Sequence, residues 1–401
     1  MPDLLTLEAA QALVLGRVRA LPGEAVPVWD AAGRVTSEPA RALVDLPPFP
    51  SSAMDGFAVR ATDLPGTLPV VEQVAAGHPA SHALRAGEAM AISTGGVVPD
   101  GADSVVPIEY VVNNGNSIDV AEPVAIGAHV RPRGGDVAAG DVVVDGAVRI
   151  GAVQLGALAA SGVAEVLCAR RPRVAILATG SELARPGEEL GPGQVYESNG
   201  LMLAVALAAA GADIETLPAV ADDESAHREA LEHGLAADVL VTSGGVSVGP
   251  HDLVRQIAAE LGVEEVFWRV AIKPGKPVSF GVRDATLVFG LPGNPVSSLV
   301  GCELFAKPAV RALQGLRDPL PRLEPGRLAS SLRRNVARDE FVRARLRLDR
   351  EGAVLEPLTG QESHMIVRAA AADALVHVPR GEGELQAGGA VSWLRLGESY
   401  F

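Results

Sequence analysis

Apolar positions along the chain follow two periods, and the changes of period mark its parts. Leu7, Ala10, Val14 and Val18 share one side at helical spacing, so residues 4–20 read as an amphipathic helix stopped by Pro22-Gly23. Asp45-Leu-Pro-Pro-Phe-Pro50 reads as a stiff extended linker, because each proline disfavours helix at the residue before it. From about 66 to 147, short β-branched runs (Val70-Val71, Val105-Val106, Val111-Val112, Val142–Val144) alternate with turns such as Asn114-Gly115 and Gly134-Gly135. That texture predicts an all-β module. Residues 148–166 are Ala-rich and read as helix, leading to the basic hinge Arg170-Arg-Pro-Arg173.

Residues 174–314 alternate continuous apolar runs with helical patterns. The predicted strands are Val174–Ala178, Ile214–Val220, Val239–Val241, Val266–Ala271 and Leu287–Phe289. The helices between them run from about Ser198 to Ala210, from the caps Asp222-Asp223 to about Leu235, and from about His251 to Leu261. A last helix runs to about Leu313, with Asn294 suited to the N-cap and Pro295 to the first turn. Strands apolar on both faces and alternating with helices imply a mostly parallel sheet in three layers. After Pro319-Leu-Pro321 the final 80 residues are β-rich, including Phe341–Leu348 and Val391–Leu396. The expected fold is multidomain α/β plus β. A central three-layer α/β sandwich with a mostly parallel sheet is flanked by a β-rich module and a C-terminal β-barrel-like domain. The expected divisions are 1–45 with 148–170 as an elongated linker/helical domain, 46–147 β-rich, 171–316 α/β and 320–401 barrel-like.

A length of 401 residues allows two to four domains. The formal net charge of −15 argues against general nucleic-acid binding, which needs a basic face, but leaves room for a small anion at a local cationic cluster. Apolar residues at 48% and charged at 21% argue against disorder, and aromatics at 3% leave the cores to Val, Leu, Ala and Ile. Cys168 and Cys302 lie far apart in apolar surroundings, which makes neither a disulfide framework nor a thiolate metal site. No signal-peptide pattern follows Met1-Pro2-Asp3, and the longest apolar run, Leu201 to Ala210, is too short to cross a bilayer, so a cytoplasmic location is expected. There are 31 arginines and three lysines, and two of those lysines, Lys273 and Lys276, fall in Ile272-Lys-Pro-Gly-Lys-Pro277. A compact ammonium pair on a proline-stiffened loop suits a small, multiply charged oxyanion; it is equally a solvated surface turn.

In an open parallel sheet, ligands bind beyond the carboxyl ends of the strands. Three Gly-rich segments fall there: Thr179-Gly-Ser-Glu-Leu183, Thr242-Ser-Gly-Gly-Val-Ser-Val-Gly249 and Leu291-Pro-Gly-Asn-Pro295. They serve as ordinary tight turns or as seats for an anion or nucleotide. Glu182, Asp222 or Asp223, and Asp252 stand beside them, able to hold Mg²⁺ with substrate phosphates or to cap helices. Ser51-Ser-Ala-Met-Asp-Gly-Phe57 places one acid, Asp55, among small residues, and Thr94-Gly95 offers a second contact. The histidines show no metal spacing, and no P-loop, dinucleotide fingerprint or Gly-x-Ser-x-Gly elbow is present.

Taken in order, these segments resemble the molybdopterin molybdenumtransferase (MoeA) family, similar to the E domain of gephyrin. The matching stretches are Pro47-Pro-Phe-Pro-Ser-Ser-Ala-Met-Asp-Gly-Phe-Ala58, Ile92-Ser-Thr-Gly-Gly96 with Val98-Pro-x-Gly-Ala-Asp103, and Arg133-Gly-Gly-Asp136. Ala178-Thr-Gly-Ser-Glu-Leu183, Ser198-Asn199, Thr242-Ser-Gly-Gly-Val-Ser247, Ile272–Pro277 and Leu291-Pro-Gly-Asn-Pro-Val-Ser297 follow. Phe57 stands where Tyr is common, Gly96 where Ala is common, and Pro250-His251 replaces an acidic and aromatic pair.

The resemblance implies a homodimer that takes adenylylated molybdopterin and molybdate with Mg²⁺, cleaves the phosphoanhydride, releases AMP and leaves molybdenum on the dithiolene. It implies catalytic roles for Asp55, Glu182, Asp252, Lys273 and Lys276, and metal contacts from Glu182 and Asp252, to which the position beside the loops adds Asp222. Substrate contacts are implied for Gly180, Ser181, Ser243, Gly244, Gly245, Ser247, Pro292, Gly293 and Asn294. Ser297, Arg343 and Ser363 are implied in an oxyanion pocket, and Thr94 and Asp136 are expected from the other subunit. An adenylyltransferase of the same pathway and a non-catalytic scaffold relative are the alternatives.

Overall fold

The computed structural model describes residues 4–220, 223–244 and 253–397. The chain forms two compact units: Met1–Glu24, Gly33–Ser37 and Ala169–Phe401 in one, Ala25–Ala32 and Glu38–Cys168 in the other. It enters on α1 (Leu7–Leu15), whose N-cap Thr6 accepts the N–H of Ala9 and whose buried side is Leu7, Ala10 and Val14. The helix is shorter than the pattern over 4–20 predicts. After Gly16 the Arg17 N–H donates to Val14 O and the Leu21 N–H to Leu313 O, bonds a continuing α-helix does not make.

In the second unit, β1 (Gly56–Val59), β2 (Gly66–Val74), β3 (Ala89–Ile92), β4 (Ser104–Pro107), β5 (Val112–Asn113) and β6 (Ser117–Val120) form one sheet, in the order β4-β1-β3-β2-β6-β5. The two-residue period sorts the core: Phe57 and Val59 bury on one face, Ala58 on the other. α2 (Ala152–Ala160) packs on a separate small core with Val26, Val28 and Ile150. It ends before the 148–166 pattern does. Gly162 adopts a left-handed φ of 82°, and Glu165–Ala169 becomes a strand.

In the first unit, β7 (Arg173–Ala178), β8 (Asp213–Thr216), β9 (Val239–Ser243), β10 (Glu264–Trp268), β11 (Ile272–Lys273), β12 (Ser279–Arg283) and β13 (Thr286–Leu291) follow in turn. All but β11 form one sheet, in the order β8-β7-β9-β13-β12-β10. The first four run parallel; β12 is antiparallel to both neighbours, and Gly281 in its middle hid it from the sequence pattern. One face carries α3 (Asn199–Ala209), the other α4 (Glu224–Gly234) and α5 (Leu253–Glu260). Val174 and Ile176 accordingly bury with Leu203 and Leu207, while Ala175 and Leu177 bury with Leu231 and Ile257. The expected long last helix is α6 (Pro295–Gly301) and α7 (Lys307–Leu313), joined by a π-helical turn over Cys302–Ala306.

β14 (Glu324–Leu328), β15 (Asp339–Asp349), β16 (Gly352–Pro357), β17 (Ala374–Val378) and β18 (Ala390–Arg395) close into a five-stranded barrel, in the order β15-β16-β14-β18-β17 and back to β15. Closure leaves no free edge within the ring. β11 adds beside it, parallel to β15, with Lys273 opposite Glu340. No described helix is long and apolar enough to cross a membrane.

Candidate active site at the carboxyl edge of the parallel sheet

Parallel pairing sets Ala178 beside Ser243 and Ser243 beside Leu291, so the turns after β7, β9 and β13 leave the sheet side by side. Backbone bonds carry the ladder one step past the strands: Thr179 N–H donates to Ser243 O at 3.0 Å, and Gly244 N–H to Leu291 O at 3.1 Å. Gly244 has φ 97°, and a Cβ there would lie 2.5 Å from Thr179 O, so the approach requires glycine. The turns border a cavity of about 780 Å³. Gly180, Glu182, Ser243, Gly244, Pro292, Gly293 and Asn294 all line it, as does Pro277 of the lysine loop. Ser181 is exposed and is not among the lining residues.

Other lining residues come from elements that carried no chemical signal of their own in the sequence. Tyr196 is held by a bond from its hydroxyl to Glu188 O at 2.9 Å, and His227 of α4 is held at Nδ1, 2.9 Å from Asp223 O. Glu197 also lines the cavity, but its Oε1 accepts the Gly200 N–H at 2.7 Å and so serves the start of α3. His364 and Ile366 reach it from the loop after β16.

A second cluster surrounds the first turn of α6. Gly275, at φ 102°, presses the lysine loop against it, since a Cβ there would lie 3.3 Å from Ser297 O. Ser363 O accepts the Val296 N–H at 3.0 Å, docking the barrel loop on the same turn. The lysine loop, buried Ser297 and Ser363 therefore meet at this turn. The two lysines differ. Lys273 Nζ sits 3.0 Å from Glu340 Oε1, whereas half-buried Lys276 has no acidic partner among the described residues. Arg343, 1% exposed, turns inward. It donates to Met365 O at 2.8 Å, Gly360 O at 2.7 Å and Glu362 O at 3.2 Å, while its own N–H and carbonyl are bonded by the Gln361 amide. Burial pulls its pKa downward. Its place in the structure is the frame of the 358–366 loop.

Three family descriptions match the chain in order: MoeA N-terminal region (domain I and II) over residues 5–162, probable molybdopterin binding domain over 175–312, and MoeA C-terminal region (domain IV) over 325–396. Molybdopterin molybdenumtransferase 2 of Mycobacterium tuberculosis (strain CDC 1551 / Oshkosh) is 36% identical over 398 residues, covering 96% of this chain and 97% of its own. This chain belongs to the MoeA family. A further MoeA relative, molybdopterin molybdenumtransferase of Haemophilus influenzae, is 32% identical over 97% of this chain and 98% of its own. The solved molybdopterin biosynthesis MoeA protein of Pyrococcus horikoshii superposes with a TM-score of 0.83 at 31% identity, covering 98% of this chain and 99% of the other.

The remaining MoeA-type residues divide between the second unit and segments outside the description. Asp55 accepts the Thr94 N–H at 2.7 Å and the Thr94 hydroxyl at 3.0 Å. Those two bonds hold its carboxyl below the usual carboxylate range. Asp136 follows the Arg133-Gly-Gly turn, and its N–H donates to Leu46 O at 2.9 Å. These three belong to the second unit, while the cavity is lined by the first. Asp222, Gly245, Ser247 and Asp252 lie outside the described residues. Asp223 caps α4 through the Ala226 N–H, 2.8 Å away. Among the described residues no group of three or more His, Cys, Asp or Glu is placed to hold a metal ion. Glu182 is the described acid on the cavity that remains for one, and a Mg²⁺ that keeps its waters needs only one or two carboxylates beside substrate phosphates.

Proposed function

We propose that this chain inserts molybdenum, taken from molybdate, into molybdopterin supplied in adenylylated form, with release of AMP. The observation that carries the reading is the convergence of three glycine turns on one cavity, with the lysine loop at its margin. A volume of about 780 Å³ suits a nucleotide-linked pterin. Backbone N–H groups and small hydroxyls at the turns would seat its phosphates. Lys276 and Lys273 would draw the molybdate dianion, against the −15 charge of the whole. Glu182, with Asp222 and Asp252, would hold Mg²⁺, which when bound would offset charge on the phosphoanhydride. Relatives in M. tuberculosis and H. influenzae bear the name molybdopterin molybdenumtransferase, which supports the same reaction class.

Asp55, Thr94 and Asp136 are proposed to serve the site of a partner copy in a cytoplasmic homodimer. Leu201 and Val205 of α3, 67% and 62% exposed, supply an apolar stripe that supports self-association. Separate cores for the β sheet, for α2 and for the interior of the barrel support the divisions near residues 45, 148, 170 and 320, while α1 and the barrel's Phe341, Leu375 and Leu394 join the core on one face of the sandwich.

The test is incubation with adenylylated molybdopterin, molybdate and Mg²⁺. Molybdate-dependent AMP release is expected. Pyrophosphate release from ATP and molybdopterin would instead make the chain an adenylyltransferase, and silence in both assays would make it a scaffold.

A further inference from the structure

Asn199 is the first residue of α3 and lines the cavity, yet its own side chain is turned into the protein and the residue is 8% exposed. Its Nδ2 donates to Ser243 Oγ at 2.9 Å and to Gly293 O at 2.7 Å. A carbonyl oxygen can only accept, so the amide has one allowed orientation, with Nδ2 between the two turns and Oδ1 facing away. Oδ1 is buried with no hydrogen-bond partner among the described residues. An orphaned buried acceptor is unfavourable, so what this residue contributes is its pair of donors.

Each donation has a consequence at the cavity. Ser243 Oγ accepts from Asn199 and must send its own proton elsewhere. Ser298 Oγ, 3.4 Å away, is a long and weak acceptor for it, so a closer ligand oxygen would draw the proton away. The Gly293–Asn294 peptide is trans, so fixing Gly293 O toward Asn199 drives the Asn294 N–H the opposite way. We infer that Asn199 is a positioning residue that locks the second and third glycine turns at one spacing and aims the Ser243 hydroxyl and the Asn294 N–H as joint donors to a phosphate oxygen of the substrate. The ligand class rests on the function proposed above.

Two substitutions separate this role from packing. Asn199→Asp keeps the shape and removes both donors; Asn199→Ala removes shape and donors together. For Asn199→Ala, KM for adenylylated molybdopterin rises about tenfold, with kcat per folded molecule changed less than about threefold. Asn199→Asp is the worse of the two, because a carboxylate repels both Gly293 O and a phosphate. In both variants hydrogen exchange at the Gly244 amide quickens about tenfold, while the Leu217 amide, bonded to Ile176 O away from the cavity, keeps its rate. An Asp variant with native KM, or a loss of active protein at unchanged KM, overturns the inference. So does unchanged Gly244 exchange in both variants, whatever the substrate proves to be. An unsubstituted chain that releases no AMP overturns the functional reading and leaves the exchange result to decide this one.

Discussion

The glycine turns line the cavity with main chain and small side chains, while the first turn of α6 is surrounded by long cations that are not among the described residues lining it. The turns are fixed by the sheet itself: β7, β9 and β13 run parallel, and Thr179 and Gly244 carry their ladder past the strand ends. The cations depend on tertiary neighbours, and those neighbours sort them into three conditions. Lys276 is unpaired among the described residues, Lys273 is offset by Glu340, and Arg343 is spent on main-chain carbonyls of its own loop. Formal charge alone therefore does not say which group can meet an anion.

Substitutions can break this contrast, the largest effect coming from the backbone side. Gly244→Ala meets Thr179 O at a left-handed φ, so we expect about a hundredfold loss of kcat/KM and about 2 kcal/mol lower stability by denaturant unfolding. A fully active alanine variant would show that the turn is not held as described. Next is Arg343→Lys, which keeps the charge and loses the fork. We expect KM for molybdate and for the adenylylated pterin to rise together, about tenfold, with faster hydrogen exchange over residues 358–366. A change confined to molybdate would make Arg343 an anion ligand.

The lysines sharpen the comparison further. Lys276→Ala should raise KM for molybdate about tenfold at unchanged Tm, and Lys273→Ala only about threefold, because Glu340 already offsets that charge. Equal effects would mean that the Glu340 pair opens in solution. The smallest effect is in the second unit. Asp55 is held below its usual pKa by the Thr94 N–H and hydroxyl, so those bonds favour the folded state above the ordinary carboxylate range and are lost as pH falls through the depressed value. Thr94→Val removes one of them, and a carboxyl-carbon NMR titration should show the Asp55 midpoint moving up. An unmoved midpoint would assign the whole depression to the N–H.

The sequence pattern located the α/β rhythm, the closing β-rich segment and, as far as they are described, the three glycine turns at the sheet edge, because each rests on local chemistry. Continuous apolar runs make doubly buried strands, and Gly244 stands where two backbones approach closely. It misjudged the length of α1 and missed β12, since Leu21 N–H to Leu313 O and the β12–β13 hairpin are long-range or carry an interior glycine. The missed lining residues, Tyr196, His227 and His364, come from three separate elements with no shared spacing.

Residue order alone thus determined most of the segments that become strands and which turns can lie close against a ligand, because period and glycine act over a few residues. Only the packed chain decided that Asn199 spans two of those turns, that β11 pairs with the barrel, and that Arg343 faces inward while Lys276 has no acidic partner among the described residues. Those outcomes depend on partners tens to hundreds of residues away, and a charge or an amide carries no mark in the sequence of which partner it will meet.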